Sequence, residues 1–295
     1  MVATTSSTGE GWSSRTAFIL AAVGAAVGLG NIWRFPTLAG ESGGGAFVIV
    51  YIACVFLLGL PLVLSEIFIG RVGQTDAIGS IRRVAAQSQA SPGWSVFGAV
   101  GALAAFLIVA FYSVVAGWVL YYVGVMGSDL AQAIMAGDPF RGALAGESRE
   151  QIQQRLGDMF ANPGLLLAVH FLFMGLTLYI VARGVSSGIE KAATYLMPVF
   201  FVLLVGLVIY GAIEGDIGDA AAFLFTPDWS KLTPEVMNSA LGQALFSLSL
   251  GVAGLITYGS YIKEGSALGP TAAIIAIADT CVALLAGLMI FPIVF

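Results

Sequence analysis

The groups able to do chemistry in this sequence sit where an apolar chain should carry none. The stretch 18–36 reads Phe18-Ile-Leu-Ala-Ala-Val-Gly24-Ala25-Ala26-Val27-Gly28-Leu29-Gly30-Asn31-Ile32-Trp33-Arg34-Phe35-Pro36. Glycines, an amide and a guanidinium interrupt it. Glycine lets a backbone leave helical geometry, which frees carbonyls and N–H groups. Freed carbonyls suit a hard cation such as Na⁺. Freed N–H groups at the start of a half-helix suit a carboxylate. Inside a bilayer such groups are tolerated only where they line a cavity or bind something. A packing face accounts for Gly24-x-x-x-Gly28 equally well on spacing alone. A phosphate loop does not fit, because no Gly-Lys-Ser/Thr follows.

A second interruption reads Phe246-Ser247-Leu248-Ser249-Leu250-Gly251-Val252-Ala253-Gly254. Serine hydroxyls often bond back onto their own helix, which is the plain alternative here. Paired breaks in two halves of a chain point instead to a binding site. Asp279 lies in a further apolar run. A carboxylate there must be paired, protonated or facing a cavity, so it is either a cation partner or a neutral structural group. Glu66 is similar but nearer an interface. Arg34, with Glu41 nearby, is read as a snorkelling arginine. Tyr112 is an interfacial aromatic or a hydroxyl donor. His170, the single histidine, is taken as satisfied and structural, and Cys54 and Cys281 as small apolar residues. No Ser/His/Asp, Cys/His or metal-ligand spacing supports hydrolysis or transition-metal chemistry.

These residues need elements to position them. The chain has 295 residues, 58% hydrophobic and 10% charged, and a mean hydropathy of +0.94. Soluble domains carry about 25% charged residues, so this is an integral membrane protein. A net charge of −5 offers no basic patch for nucleic acid. A bilayer core needs roughly 20 apolar residues per helix. Seven runs qualify, near 16–38, 44–70, 96–126, 164–183, 193–213, 239–261 and 271–295. Arg71, Arg82, Arg83, Arg183 and Lys191 fall in the links after the second and fourth runs, while acids dominate 127–163 and 214–237. The basic links, and with them the N-terminus, are expected on the cytoplasmic side. The first run is read as a retained helix rather than a cleaved signal. Phe295 closes an unbroken apolar run, so a C-terminally truncated chain is expected.

Gly24-Ala-Ala-Val-Gly-Leu-Gly-Asn-Ile-Trp-Arg-Phe-Pro36, followed by Glu41-Ser-Gly-Gly-Gly-Ala-Phe47, resembles the signature of the neurotransmitter:sodium symporters. The likeness continues at Gly59-Leu-Pro-Leu with Glu66 and Gly70-Arg71, and at Phe111-Tyr-Ser with Gly117-Trp118. It returns at Gly242-Gln-Ala-Leu-Phe-Ser-Leu-Ser-Leu-Gly251 and Ala286-Gly-Leu-Met-Ile-Phe-Pro292. The resemblance implies an all-α, leucine-transporter-like inverted-repeat fold with helices 1 and 6 broken. It places the first five-helix repeat in 1–213 and two helices of the second in 239–295.

By the same resemblance, a first Na⁺ would meet Ala26, Asn31, Ser247 and Asp279, with the substrate carboxylate completing the shell. A second Na⁺ would meet Gly24 and Val27. The substrate carboxylate would meet Leu29, Gly30 and Tyr112, and its amine Ala25, Phe246 and Ser249. Ile108, Phe246 and Val252 would line the side-chain pocket. Val252 is small for that position, which implies room for a larger aliphatic or aromatic group. Arg34 and Phe246 would form the outer gate. The family's basic inner latch falls on Gly9 here, a departure.

The expected activity is sodium-coupled symport of a neutral amino acid across the cell membrane, with no organic cofactor and no enzymatic chemistry. Na⁺, the amino acid, the lipid bilayer and a second copy in a homodimer are the expected partners. A non-transporting amino-acid-binding receptor, or an inactive transporter fragment, is the alternative.

Overall fold

The computed structural model describes residues 11–138, 144, 146–262 and 265–295, which leaves Gly9 outside the described residues. Every regular element among them is helical. α1 (Arg15–Ala26) starts at Ser14, whose Oγ accepts from the Ala17 N–H at 3.1 Å. That covers a donor which a first helical turn leaves open. α1 stops at Val27, which is extended (φ −71°, ψ 117°). The chain resumes as α2 (Gly30–Glu41), bent 50° from α1. α3 (Gly45–Gly73) widens into a π turn at Val55–Gly59 just ahead of Pro61. Proline has no N–H for the preceding turn, and the wider turn accommodates the gap.

The remaining helices are α4 (Ala77–Gln87), α5 (Val96–Met135), α6 (Arg149–Ala161), α7 (Pro163–Val181) and α8 (Val185–Glu214). After them come α9 (Ile217–Phe225), α10 (Pro234–Ser247), α11 (Gly254–Gly259) and α12 (Leu268–Val294). All seven apolar runs are therefore helical. Five helices are long and apolar enough to cross a membrane, and the bent α1–α2 pair makes a sixth. The run at 239–261 is α10 and α11, of 14 and 6 residues, each too short to span alone.

The links are less irregular than the sequence suggested. α4, α6 and α9 lie in segments read as loops. Each starts on a capping side chain: Asp76 to the Gly79 N–H, Ser148 with Gln151 in a reciprocal box, and Asp216 to the Asp219 N–H. Caps start these helices, and at 9 to 13 residues they are too short for a search for apolar spans to find them.

The chain divides into two compact units, 1–105 with 183–295, and 106–182. In the first, Phe35, Phe47 and Tyr51 form a buried aromatic cluster with ring centroids 5.0–6.4 Å apart. Gly259 faces the Ile67 carbonyl and Gly70 faces the Ile256 carbonyl, so α3 and α11 touch backbone to backbone. Small residues permit that approach in membrane helices. In the second unit, Gly117 lies against the backbone of α7 at His170, and Trp118 packs edge-on to Phe160 at 4.9 Å. His170 is not the satisfied residue expected from sequence: its Nδ1 is buried without a hydrogen-bond partner, as is the Trp118 Nε1.

Candidate functional site

Both helix breaks lie in the first unit and meet at one residue of α12. Asn31, on the first turn of α2, is fully buried, as are Ser247 at the end of α10 and Asp279 in mid-α12. The Asn31 Nδ2 donates to the Asp279 Oδ1 at 2.8 Å, the Ser247 Oγ at 2.9 Å and the Asp279 carbonyl at 3.1 Å. The Ser247 hydroxyl donates to the Asp279 Oδ2 at 2.7 Å. The Asn31 Oδ1 accepts the Gly28 N–H at 3.1 Å. In an unbroken helix that N–H would go to the Gly24 carbonyl, so the break releases a carbonyl of α1.

Charge buried in this way must be fully hydrogen-bonded or paired. Both Asp279 oxygens are hydrogen-bonded, by an amide and a hydroxyl. The group is thus an oxygen-rich cluster with net negative character, held by three chain segments. Tyr51 of α3 is fully buried alongside it, its hydroxyl beside Asp279, Ser247 and Thr280 but short of good hydrogen-bond geometry.

The two breaks also touch directly. The Ser249 Oγ donates to the Ala25 carbonyl at 3.0 Å. The Phe246 ring closes on Gly30, where an added Cβ would meet it at 3.2 Å. The Arg34 guanidinium lies 4.7 Å from the centroid of that ring, within cation–π range. Gln243 is fully buried one turn before Ser247. It donates to the Gly30 carbonyl at 2.7 Å and accepts from Arg34 at 3.2 Å. The sequence reading missed this residue, although Gln243 and Ser247 share a helix face at i, i+4 spacing.

The break between α10 and α11 is the more contorted. Ser249, Gly251 and Ala253 all have positive φ, at 53°, 78° and 60°. Glu66 of α3 supports it: the Gly251 N–H donates to the Glu66 Oε1 at 2.8 Å, while Oε2 is buried without a partner.

Of the residues singled out from sequence, Asn31, Ser247 and Asp279 come together, with Gly30, Phe246 and Arg34 stacked beside them and Ala25 joined to Ser249. Ala26 ends α1, buried. Val27 and Leu29 are half-buried within the break, Val252 is half-buried in the other, and Gly24 lies against the Met197 thioether. Ile108 and Tyr112 belong to the second unit, half-buried on α5. Among the described residues no cluster of His, Cys, Asp and Glu could hold a metal ion by those side chains alone.

The profile of the sodium:neurotransmitter symporter family matches residues 9–132 and 149–295. The uncharacterised sodium-dependent transporter YhdH of Bacillus subtilis is 39% identical over 96% of this chain and 59% of its own length. A sodium-dependent transporter of Haemophilus influenzae is 36% identical over 96% of this chain and 61% of its own. The crystal structure of MhsT in complex with L-phenylalanine superposes with a TM-score of 0.81 at 45% identity, covering 97% of this chain and 62% of that one. The chain thus spans about three-fifths of the length of these relatives. It has the all-helical, leucine-transporter-like fold of an integral membrane protein, with breaks in its first and sixth spans. It belongs to the sodium:neurotransmitter symporter family.

Proposed function

We propose that the whole protein is a sodium-coupled symporter of a neutral amino acid, and that the two facing breaks hold ion and substrate together. The buried Asn31–Ser247–Asp279 cluster carries this reading. It offers a carboxylate, a hydroxyl and an amide oxygen, the hard donors that a cation such as Na⁺ takes. An entering Na⁺ would break the Asn31–Asp279 hydrogen bond. The amide would turn its oxygen inward, and the Ala26 carbonyl would add a fourth donor.

The released Gly24 carbonyl, with that of Val27, supplies part of a second ion site. N–H groups at Leu29 and Gly30, at the start of α2, suit the amino acid's carboxylate. Carbonyls of Ala25, Phe246 and Ser249 suit its ammonium group. Phe246 and Val252 line the pocket for its side chain. Val252 leaves room for a large apolar group, and the relative MhsT is described with L-phenylalanine. Arg34 and Phe246 close the site from outside. The basic links after the second and fourth spans support a cytoplasmic N-terminus in this reading. In this reading residues 1–213 form one repeat and 239–295 begin its inverted partner.

The test is uptake of labelled apolar amino acids into proteoliposomes holding the whole protein. Accumulation should follow an inward Na⁺ gradient and vanish when K⁺ replaces Na⁺. Uptake indifferent to Na⁺ would overturn the reading.

A further inference from the structure

We propose that Glu190 is the inner latch of the transporter, a positioning residue that holds the cytoplasmic end of α1 closed through Ser13. The proposal rests on the symport reading above. Glu190 is 9% exposed and follows directly on the π turn Val185–Ile189 that opens α8. Both its oxygens are engaged by one residue 177 positions away. The Ser13 N–H donates to Oε2 at 2.9 Å and the Ser13 hydroxyl donates to Oε1.

The neighbouring residues tie down the same strap. The Trp12 Nε1 donates to the Tyr258 carbonyl of α11 at 3.0 Å, and its ring lies edge-on to Phe18 and Tyr258. The Arg15 Nε donates to the Thr271 Oγ1 of α12 at 3.1 Å. Residues 12–15 thus reach three different helices.

Position makes this a latch rather than one more contact. α1 has 12 residues and is interrupted at Val27. At 1.5 Å per residue the strap is about 18 Å from that interruption, at the far end of a lever. A hydrogen bond opposes rotation best at the end of a lever. A cavity of about 100 Å³ lies beside the strap, bordered by Trp12, Arg15, Phe18, Ile262, Leu268 and Thr271. The strap is therefore held by the buried Trp12 ring on one side and by the polar contacts of Ser13 and Arg15 on the other. Ser13 meets Glu190 through two adjacent groups, so both bonds are made or lost together.

The experiment reads the gate without needing transport. The whole protein, with Cys54→Ala, Cys281→Ala and any cysteine outside these 295 residues replaced, carries a single reporter, Ala22→Cys, at a fully buried position of α1. A membrane-impermeant maleimide is applied to the cytoplasmic face of inside-out vesicles in Na⁺ buffer without amino acid. Glu190→Ala should raise the labelling rate about 10-fold, the shift expected from losing hydrogen bonds to a charged group. Ser13→Ala, which keeps the backbone bond, should raise it about 3-fold. Glu190→Gln should stay near wild type, because its amide can accept the N–H and donate to the Ser13 oxygen.

Unchanged labelling in Glu190→Ala overturns the proposal. So does equal labelling in Glu190→Ala and Glu190→Gln, which would mark a packing role. Should Glu190→Ala not reach the membrane, Ser13→Ala decides in the same way. Sodium-independent uptake in the earlier assay would remove the symport reading while leaving this labelling result to stand or fall alone.

Discussion

The two helix breaks do the same work by different means. Between α1 and α2 no residue from Val27 to Gly30 has a positive φ. That break is a bend in ordinary backbone, rewired by one side chain: Asn31 takes the Gly28 N–H. Between α10 and α11 three residues are left-handed, and two of them, Ser249 and Ala253, carry side chains. Left-handed backbone costs roughly 1–2 kcal/mol for a residue with a Cβ, so this break persists only where contacts hold it. The contacts are the Glu66 bond to Gly251 and the Ser249 bond to Ala25. The first break is written locally, and the second is imposed by neighbours.

Asp279 is where the two breaks are joined, so its removal should have the largest effect. Asp279→Ala leaves the buried Ser247 hydroxyl without its acceptor and takes from Asn31 its shortest hydrogen bond, leaving the amide only the Ser247 Oγ and the backbone carbonyl. A stranded buried group costs about 1–3 kcal/mol, and sodium-dependent binding of a labelled amino acid should fall by about 100-fold or more. Asn31→Ala should do nearly as much, because it also frees the Gly28 N–H. Asp279→Asn keeps the shape without the charge. It should melt close to wild type yet require about 10-fold more Na⁺. A binding assay titrated with Na⁺ separates these outcomes, and unchanged Na⁺ dependence in Asp279→Ala would dissolve the common site.

Glu66 should act on the second break alone. Glu66→Ala removes the acceptor of the Gly251 N–H, which lies at an exposed residue, and should destabilise the protein by about 1 kcal/mol. Glu66→Gln still offers an oxygen and should recover most of that. Thermal melting of the purified protein measures both. Equal melting of the alanine and glutamine variants would show that the second break does not depend on its neighbour.

The difference between the breaks also explains what could be read from sequence. Asn31 and Asp279 are polar residues in apolar runs, and the cost of burying them made them visible. Seven spans were visible for the same reason. Gln243 was passed over because a single amide among Ala, Leu and Gly looks like one more neutral residue; only its i, i+4 relation to Ser247 marks it. Tyr51 looked like any aromatic in an apolar helix. Glu66 drew attention as a buried acid, but its task, holding a backbone N–H 185 residues away, has no local signature. The link between Ser13 and Glu190 is equally silent, since a serine before a helix reads first as a cap.

Smaller effects sharpen the contrast. Gly251 has φ 78°, and a Cβ there would meet nothing within 4 Å. Gly251→Ala therefore isolates the backbone cost of the second break, about 1 kcal/mol. At the first break, Gly24→Ala would press only on the flexible Met197 thioether, 3.0 Å away, so a smaller loss is expected.

The reverse exchange should have the smallest effect, and its sign is informative. Ala253 has φ 60°, and its carbonyl accepts the N–H and hydroxyl of Thr257 at 3.0 and 2.8 Å. Ala253→Gly keeps those bonds and relieves the left-handed strain. It also frees the unfolded chain and removes a buried methyl, both of which oppose the gain, so a net stabilisation of at most about 0.5 kcal/mol remains. Ser249→Gly relieves the same strain but discards the hydroxyl bond to Ala25, worth about 1 kcal/mol, and should be neutral or destabilising. Melting temperatures of the two variants test this directly. Equal stabilisation by both would mean that the Ser249 hydroxyl contributes nothing and that the second break, like the first, is held by its own backbone.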